Sequence, residues 1–284
     1  MKNIDLSHFS GKNVNLILDK ANELFNQDLE SKIHAHKIYS LLLDQTPKIY
    51  ENTSENRFRG FLRKKIWDCE NFFFWNESYS SQAGQDKIIK DIFFNNKRNG
   101  FFVEIGAYDG IDGSNCYHFE RHLNWDGIAI EPSNIQFEKL QKNRRCKLMN
   151  YAVSEESKEV EFIDVIEGLT QMSGINNSFF ERNKNIIFNN RESKTRSINI
   201  KTITFDQVVP KNTKIDYLSI DIEGGEMALV NSINYNDYDI KVITVENNVP
   251  ETQNFKNFFE SKNFLYFDRV GQDEIFYNSK FFKL

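Results

Sequence analysis

The residues best suited to chemistry in this chain are carboxylates placed where apolar runs give way to turns. The most informative run is Phe101–Gly110, in which Phe101, Phe102, Val103 and Ile105 surround Glu104 and the turn Gly106-Ala107-Tyr108-Asp109-Gly110 follows at once. A short apolar run ending in glycine reads as a buried parallel strand that stops at a ligand-binding turn. Gly106 lets the chain turn sharply and its backbone approach a ligand. Glu104 is costly to bury unless it meets a partner. The spacing Glu-x-Gly-x-x-x-Gly lacks the second close glycine of a dinucleotide turn, which admits a pyrophosphate. A carboxylate beside such a turn suits a ligand with an amine and little negative charge. S-adenosylmethionine, with its amino-acid end and sulfonium, is such a ligand.

Other acids fall at comparable positions. Gly127–Glu131 is apolar until its last residue and precedes Pro132. Ile215–Ile220 leads into Asp221-Ile222-Glu223-Gly224-Gly225, and Lys241–Val245 ends at Glu246. Open α/β sheets bind ligands at the carboxyl ends of their strands, so these acids point to one sheet edge. Glu131 is placed to accept both hydroxyls of a ribose without a 2′-phosphate. Glu223 and Glu246 are candidate bases for an alcohol acceptor, and Asp221 could orient the acceptor or a cofactor amine. As a second choice, the three acids with Asn247 would hold a divalent cation that lowers the acceptor's pKa. His118 is expected to be structural rather than a base.

Those positions require strands and helices in alternation from Ser81 onward, a doubly wound α/β sheet. A loop and helix over Asp112–His122, a helix over Ser133–Asn143 and a third strand over Lys147–Val153 follow the first two strands. Val160–Val165 and Ile198–Ile203 read as extra strands around a polar insert. A helix starts at Glu226 and another spans Phe255–Lys262. Phe264–Phe267 and Glu274–Tyr277 read as an antiparallel hairpin turning at Gly271. The insert Glu167–Ser197, rich in amide and basic side chains such as Arg182, Lys184, Arg191 and Lys194, is a candidate loop for recognising hydroxyls or an anionic group such as phosphate.

Residues before Ser81 differ. Leu16, Ile17, Ala21, Leu24 and Phe25 recur at helical spacing, and Leu29, Ile33, Leu41 and Leu42 predict a second helix ending before Pro47. His34 and His36, two apart, make a poor metal pair. Arg57–Trp75 is basic and then aromatic; its aromatics are expected to be packed away and its basic residues solvated, in preference to a membrane-surface helix. With 284 residues, 39% hydrophobic and 26 of them Phe, the chain can bury a substantial core. A net charge of −5 argues against a dedicated nucleic-acid binder. Three scattered cysteines without a CxxC pair fit a reducing compartment with no zinc site. Neither a signal-peptide pattern nor a membrane-length apolar run is present, so a cytoplasmic location is expected.

The chain from Ser81 to Asn248 resembles the FkbM family of S-adenosylmethionine-dependent methyltransferases. The matching pieces are Ser81-Gln-Ala-Gly-Gln-Asp86, Val103–Gly110 with Ser114-Asn115, Ile130-Glu-Pro132, Tyr151–Ser154, Ser173-Gly-Ile175 and Ser219–Gly224. The resemblance implies a Rossmann-like fold and methyl transfer, usually to an oxygen of a sugar or small metabolite. Carried over, Glu104, Gly106, Ala107 and Gly110 would line the methionine half of the cofactor. Ser114 and Asn115 would bind its carboxylate, Glu131 beside Pro132 its ribose, and Ala152 would lie near its adenine. Gln85 would close over it, and Asp221 would lie nearest the methyl-transfer centre. Gly225 stands where many relatives carry a histidine, and the N-terminal helices lie outside the shared pattern.

The expectation is therefore a class I methyltransferase domain over residues 76–284, with a seven-stranded, mostly parallel sheet and a C-terminal antiparallel hairpin. A helical extension over residues 1–75 precedes it. The expected reaction is O-methylation of a carbohydrate or activated glycan precursor. The alternatives are a small phosphorylated or amide-bearing acceptor, or a non-catalytic module recruiting a glycan-synthesis partner. A nicotinamide dehydrogenase is disfavoured by the missing glycine. Partners other than a small-molecule or glycan acceptor, nucleic acid included, are not expected.

Overall fold

The computed structural model describes residues 14–76, 78–179 and 181–284; the reading of the extreme N-terminus falls on residues 1–13, outside them. The chain divides into two compact units, Met1–Glu77 with Arg269–Gly271, and Ser78–Asp268 with Gln272–Leu284.

In the first unit, α1 (Val14–Phe25), α2 (Leu29–Gln45) and α3 (Thr53–Phe72) follow the apolar periodicity. Asp28 accepts from the Ser31 amide at 2.8 Å to start α2, and Asn52 accepts from the Glu55 amide at 3.2 Å to start α3. Ala21, Ala35, Ile38, Tyr39, Leu42, Leu62 and Cys69 form the unit's core. One expectation needs correction here: Phe74 and Trp75 are 74% and 59% exposed. Phe74 takes a left-handed backbone (φ 60°) just past α3, and that reversal leaves the end of the aromatic run outside the core. No described helix is long and apolar enough to cross a membrane.

The second unit opens with α4 (Gln85–Ile89), which runs into a π-helical turn over Lys90–Phe94. Then follow β1 (Phe101–Ile105), α5 (Tyr117–Leu123), β2 (Asp126–Ile130), α6 (Asn134–Asn143) and β3 (Lys147–Met149). β4 (Ala152–Val153), β5 (Glu159–Glu167), β6 (Gly174–Ile175), α7 (Glu181–Asn189) and β7 (Lys194–Ile203) come next. The chain continues through α8 (Phe205–Val208), β8 (Lys214–Ile220), α9 (Glu226–Ser232), β9 (Asp239–Glu246), α10 (Phe255–Glu260), β10 (Phe264–Val270) and β11 (Asp273–Asn278).

Seven strands form one sheet in the order β10-β11-β9-β8-β1-β2-β3. β1 pairs in parallel with β2 and β8, as do β2 with β3 and β8 with β9, whereas β11 runs antiparallel to β9. In this register Ile105 lies beside Ile130 and Ile220, so β1, β2 and β8 end together. The central strands are buried on both faces, which is why they read as continuous apolar runs.

Two expectations change. Lys147–Val153 is not one strand. The Asn150 side-chain amide donates to the Glu131 and Pro132 carbonyls at 2.8 and 3.2 Å. The chain leaves the main sheet there, and β4 joins a second sheet, β4-β7-β5-β6. Nor is Glu167–Ser197 a mere loop. It holds a 3₁₀ turn at Thr170–Met172, β6 and α7, seated on Val165, Phe179 and Ile187.

Beneath the first strand lies a buried charge cluster. Arg144, just past α6, donates from Nη1 to Glu104 Oε2 at 2.8 Å and from Nε to Glu120 Oε2 at 2.5 Å. The same Nη1 reaches the Gly110 carbonyl at 3.2 Å. Glu104 Oε1 accepts from the Ser114 hydroxyl at 2.7 Å and the Cys116 amide at 3.2 Å. The cluster joins β1, its following turn, α5 and the end of α6. Removing one partner of such a group strands the other charges in the interior. Arg144→Met is expected to lower stability by about 3–5 kcal/mol in urea titrations, while exposed Arg145→Met changes it by about 1 kcal/mol or less. Equal effects would show that the buried cluster is not what holds this corner.

Candidate active site

A cavity opens where β1, β2 and β8 end. Gly106, Ala107 and Tyr108 from the turn after β1 line it, with Glu131 and Pro132 after β2, Ala152 on β4, Ser114, and Asp221 and Glu223 after β8. An added Cβ at Gly106 (φ 86°) would lie 1.6 Å from the Asp221 carbonyl oxygen. This glycine is required because two chain reversals meet there. Glu131 accepts the Tyr108 amide at 2.9 Å on one oxygen and the Ser133 amide at 2.8 Å on the other. Each oxygen keeps a second lone pair for a ligand hydroxyl. Burial pushes the Glu131 carboxyl up to about 7, against the pull of those two amides. Ile130, Tyr151, Val153 and Phe162 supply an apolar wall suited to a flat heterocycle.

Several residues placed at the cofactor by the family resemblance are engaged elsewhere. Glu104 is held by Arg144, Ser114 and Cys116 and does not line the cavity. Gly110 (φ 87°) also stands back from it, because a Cβ there would meet Leu140 and Arg144 at 2.6 and 2.7 Å. Gln85 bridges the Ala83 amide and Asp273, and it is Gln82 that lines the cavity. Ser114 reaches the cavity, but its hydroxyl donates to Glu104. The Asn115 amide group donates to Ser219 and Asp273 at 3.0 and 3.2 Å. Its buried Oδ1 has no partner; an acceptor suits an ammonium, not a carboxylate. His118 bonds the Ser78 carbonyl at 2.7 Å and stacks on Tyr79, away from the cavity lining.

The acids after β8 and β9 do converge. Asp221, Glu223 and Glu246 each offer an oxygen within 4.8 Å of the others. A run of left-handed residues brings them together: Glu223, Gly224 and Gly225 have φ of 58°, 126° and 94°. A non-glycine residue in that region is strained, and the strain falls on the middle acid. The Asn183 amide fixes Glu223 Oε2 at 2.9 Å. Burial, then repulsion by Glu223, holds Asp221 well above the usual carboxylate range; burial, then Asp221, does the same for Glu246. Burial and Glu226 lift Glu223 to about 8. Three such oxygens can share protons, take one from an acceptor, or hold a divalent cation. Asn247 does not join them, since its amide donates to Gln253 and Glu274 and its Oδ1 accepts the Val249 amide.

Next to the first cavity is a wider cleft, with Gln82, Tyr108, Thr170, Gln171 and Glu223 on the lining of both. The Tyr108 hydroxyl meets the Thr170 hydroxyl at 2.6 Å, which closes part of the shared wall. Asp221 faces only the cavity, Glu246 only the cleft, and Glu223 both. Sequence reasoning missed Arg144, Tyr108 and Thr170. The cost of burying Glu104 signalled a missing cation, but nothing distinguished Arg144 from its neighbours, and Thr170 lies within the supposed loop.

The Methyltransferase FkbM domain family matches residues 104–271, more than half of the sequence. The chain belongs to the FkbM methyltransferase family. No curated protein matches it. Among solved structures, Methyltransferase FkbM from Methylobacillus flagellatus KT is similar at 10% sequence identity with a TM-score of 0.42. The match covers 84% of this chain and 57% of that one, so the chain spans less than two thirds of that protein's length.

The lifted carboxyls set a pH dependence. Each has a folded pKa above its unfolded value, so the stability it contributes is full below about 4.5 and is lost as pH rises through the folded pKa, about 8 for Glu223. The melting temperature of the ligand-free protein is expected to fall between pH 6 and 9, by about 2–4 °C for each kcal/mol lost. Glu223→Gln should flatten that fall in calorimetric scans; an unchanged slope would refute the assignment.

Proposed function

We propose that this protein transfers a methyl group from S-adenosylmethionine to a hydroxyl of a carbohydrate or glycan precursor, using a Rossmann-like class I methyltransferase domain over residues 76–284. The observation that carries the reading is the line of three acids leading from a cavity with Glu131 to a separate cleft. The cavity fits the cofactor's chemistry: a carboxylate at Glu131 for the ribose diol and an apolar wall for adenine. When bound, S-adenosylmethionine supplies an electrophilic methyl on a sulfonium. The chain's part is to hold the acceptor hydroxyl close and in line, and to remove its proton as the bond forms.

Glu223 is the proposed base, because it lines both spaces and titrates near neutrality. Glu246 shares the proton from the cleft side, and Asp221 orients the reacting groups from the cavity side. The Tyr108–Thr170 contact limits water at the wall between them. A non-catalytic cofactor-binding module is disfavoured, because binding alone does not need strained, crowded acids at the junction. A specific observation supports a second reading: the 4.8 Å convergence of the acids also suits a divalent cation that would lower the hydroxyl's pKa. We also assign the helices over residues 14–72 to an extension that precedes the methyltransferase domain. A cytoplasmic location fits three buried cysteines without disulfides.

Calorimetry with S-adenosylmethionine and S-adenosylhomocysteine is expected to show micromolar binding, weakened about tenfold by Glu131→Ala, with none for NAD. Glu104→Gln should lower the melting temperature yet leave the affinity of the folded protein within about threefold. Absence of binding, or a preference for NAD, would reject the reading. With an acceptor found by screening sugars, Glu223→Gln should reduce turnover by about 10²–10⁴ while S-adenosylhomocysteine still binds. Turnover that survives EDTA supports the base; loss restored by Mg²⁺ supports the cation.

A further inference from the structure

The lining of the cleft narrows what the acceptor can be. Five carboxamides face it, those of Gln82, Gln171, Asn183, Asn248 and Gln272, together with the acids Glu223 and Glu246. Among the described residues lining it, none is basic. Carboxamides both donate and accept, which matches hydroxyls and amides. A phosphoryl group instead carries close to two negative charges and is held in proteins by arginine, lysine or a helix N-terminus. Placed here it would meet no basic side chain among the described lining residues and would face two carboxylates.

The basic residues of the neighbouring segment serve other ends. Lys194 pairs with Glu167 at 2.7 Å. Arg196 pairs with Asp164, a buried acid that also accepts the Ser133 hydroxyl. Lys184 lies in the field of Glu161, and Arg191 is exposed and off the cleft lining. The side chain of Arg182 falls outside the described residues.

We infer that the cleft receives its acceptor as an uncharged, hydroxyl- or amide-bearing group, and that phosphorylated molecules, including nucleotide-activated sugars, are excluded from it. This inference rests on the methyl-transfer reading and refines its substrate. It also gives the step a place: methylation acts on the acceptor while it carries no phosphate or nucleotide, either before activation or after a reaction such as glycosyl transfer or phosphate hydrolysis has released that group.

The test is titration of the full-length protein with pyrophosphate and UDP by calorimetry, with and without S-adenosylhomocysteine. The wild type is expected to show no saturable binding up to about 10 mM. The double variant Gln171→Lys/Gln272→Lys, at two exposed positions on the lining, should gain at least about tenfold in pyrophosphate affinity. Saturable binding by the wild type overturns the inference, whether it is lost on Arg182→Ala or seen only with Mg²⁺ present. In parallel, a panel of free sugars and their 1-phosphates is assayed for methylation by mass spectrometry, with products expected only from the free sugars. A methylated phosphate also overturns it. If S-adenosylhomocysteine does not bind, the methyl-transfer reading fails while the pyrophosphate titration still decides the charge of the cleft.

Discussion

The geometry of the site depends on one arginine buried between two glutamates. The Arg144 side chain has no exposed surface, and it joins Glu104 in β1 to Glu120 in α5 while reaching the carbonyl of Gly110. Charges taken out of water tolerate few alternative arrangements, because each displaced partner leaves another unsatisfied. The turn after β1 is therefore pinned at both ends, by Gly106 against Asp221 and by Gly110 against Arg144. Between those points the Tyr108 amide is presented to Glu131. A charge cluster outside the cavity in this way sets where Glu131 is held on the cavity's lining.

The same end of the sheet treats a second set of acids in the opposite manner. Glu104 and Glu120 are neutralised by a cation, but Asp221, Glu223 and Glu246 crowd and repel one another. Their raised affinity for protons follows from burial and from that crowding. Acids arranged this way weaken the fold and are found where chemistry needs a proton acceptor near neutral pH. The left-handed backbone at Glu223 adds a local strain of the same kind. Rigidity under β1 and crowding after β8 thus lie at one end of the sheet: the first fixes the frame, and the second raises the proton affinity of the acids it holds together.

Much of this was legible in the residues. Buried parallel strands are continuous apolar runs, so β1, β2, β8 and β9 could be placed, and with them the acids at their ends. Glu131, Asp221 and Glu223 do line the cavity, and Glu246 the cleft. The partner of Glu104 was not legible, because pairing across the fold leaves no periodic trace along the chain. The same limit affected Gln85 and Asn115, polar residues near the glycine turn whose amides are drawn to Asp273 in β11. Lys147–Val153 looked like one strand because apolar content does not report a change of sheet, whereas the Asn150 amide does so only in three dimensions. The helix α7 was hidden by a polar composition that also fits a loop; its few apolar residues, such as Ile187, suffice to seat it.

Gly225 and its neighbour make a mutational bottleneck beside the acids. Gly225 adopts φ 94°, and a Cβ there would approach the Ser178 side chain at 3.3 Å. Gly224 is more confined, with a Cβ only 2.3 Å from the Ser178 carbonyl. A side chain at Gly225 therefore meets backbone strain, and one at Gly224 meets strain and a backbone collision together. Sequence drift in this loop is filtered at two consecutive positions, by conformation at both and by available space at the first.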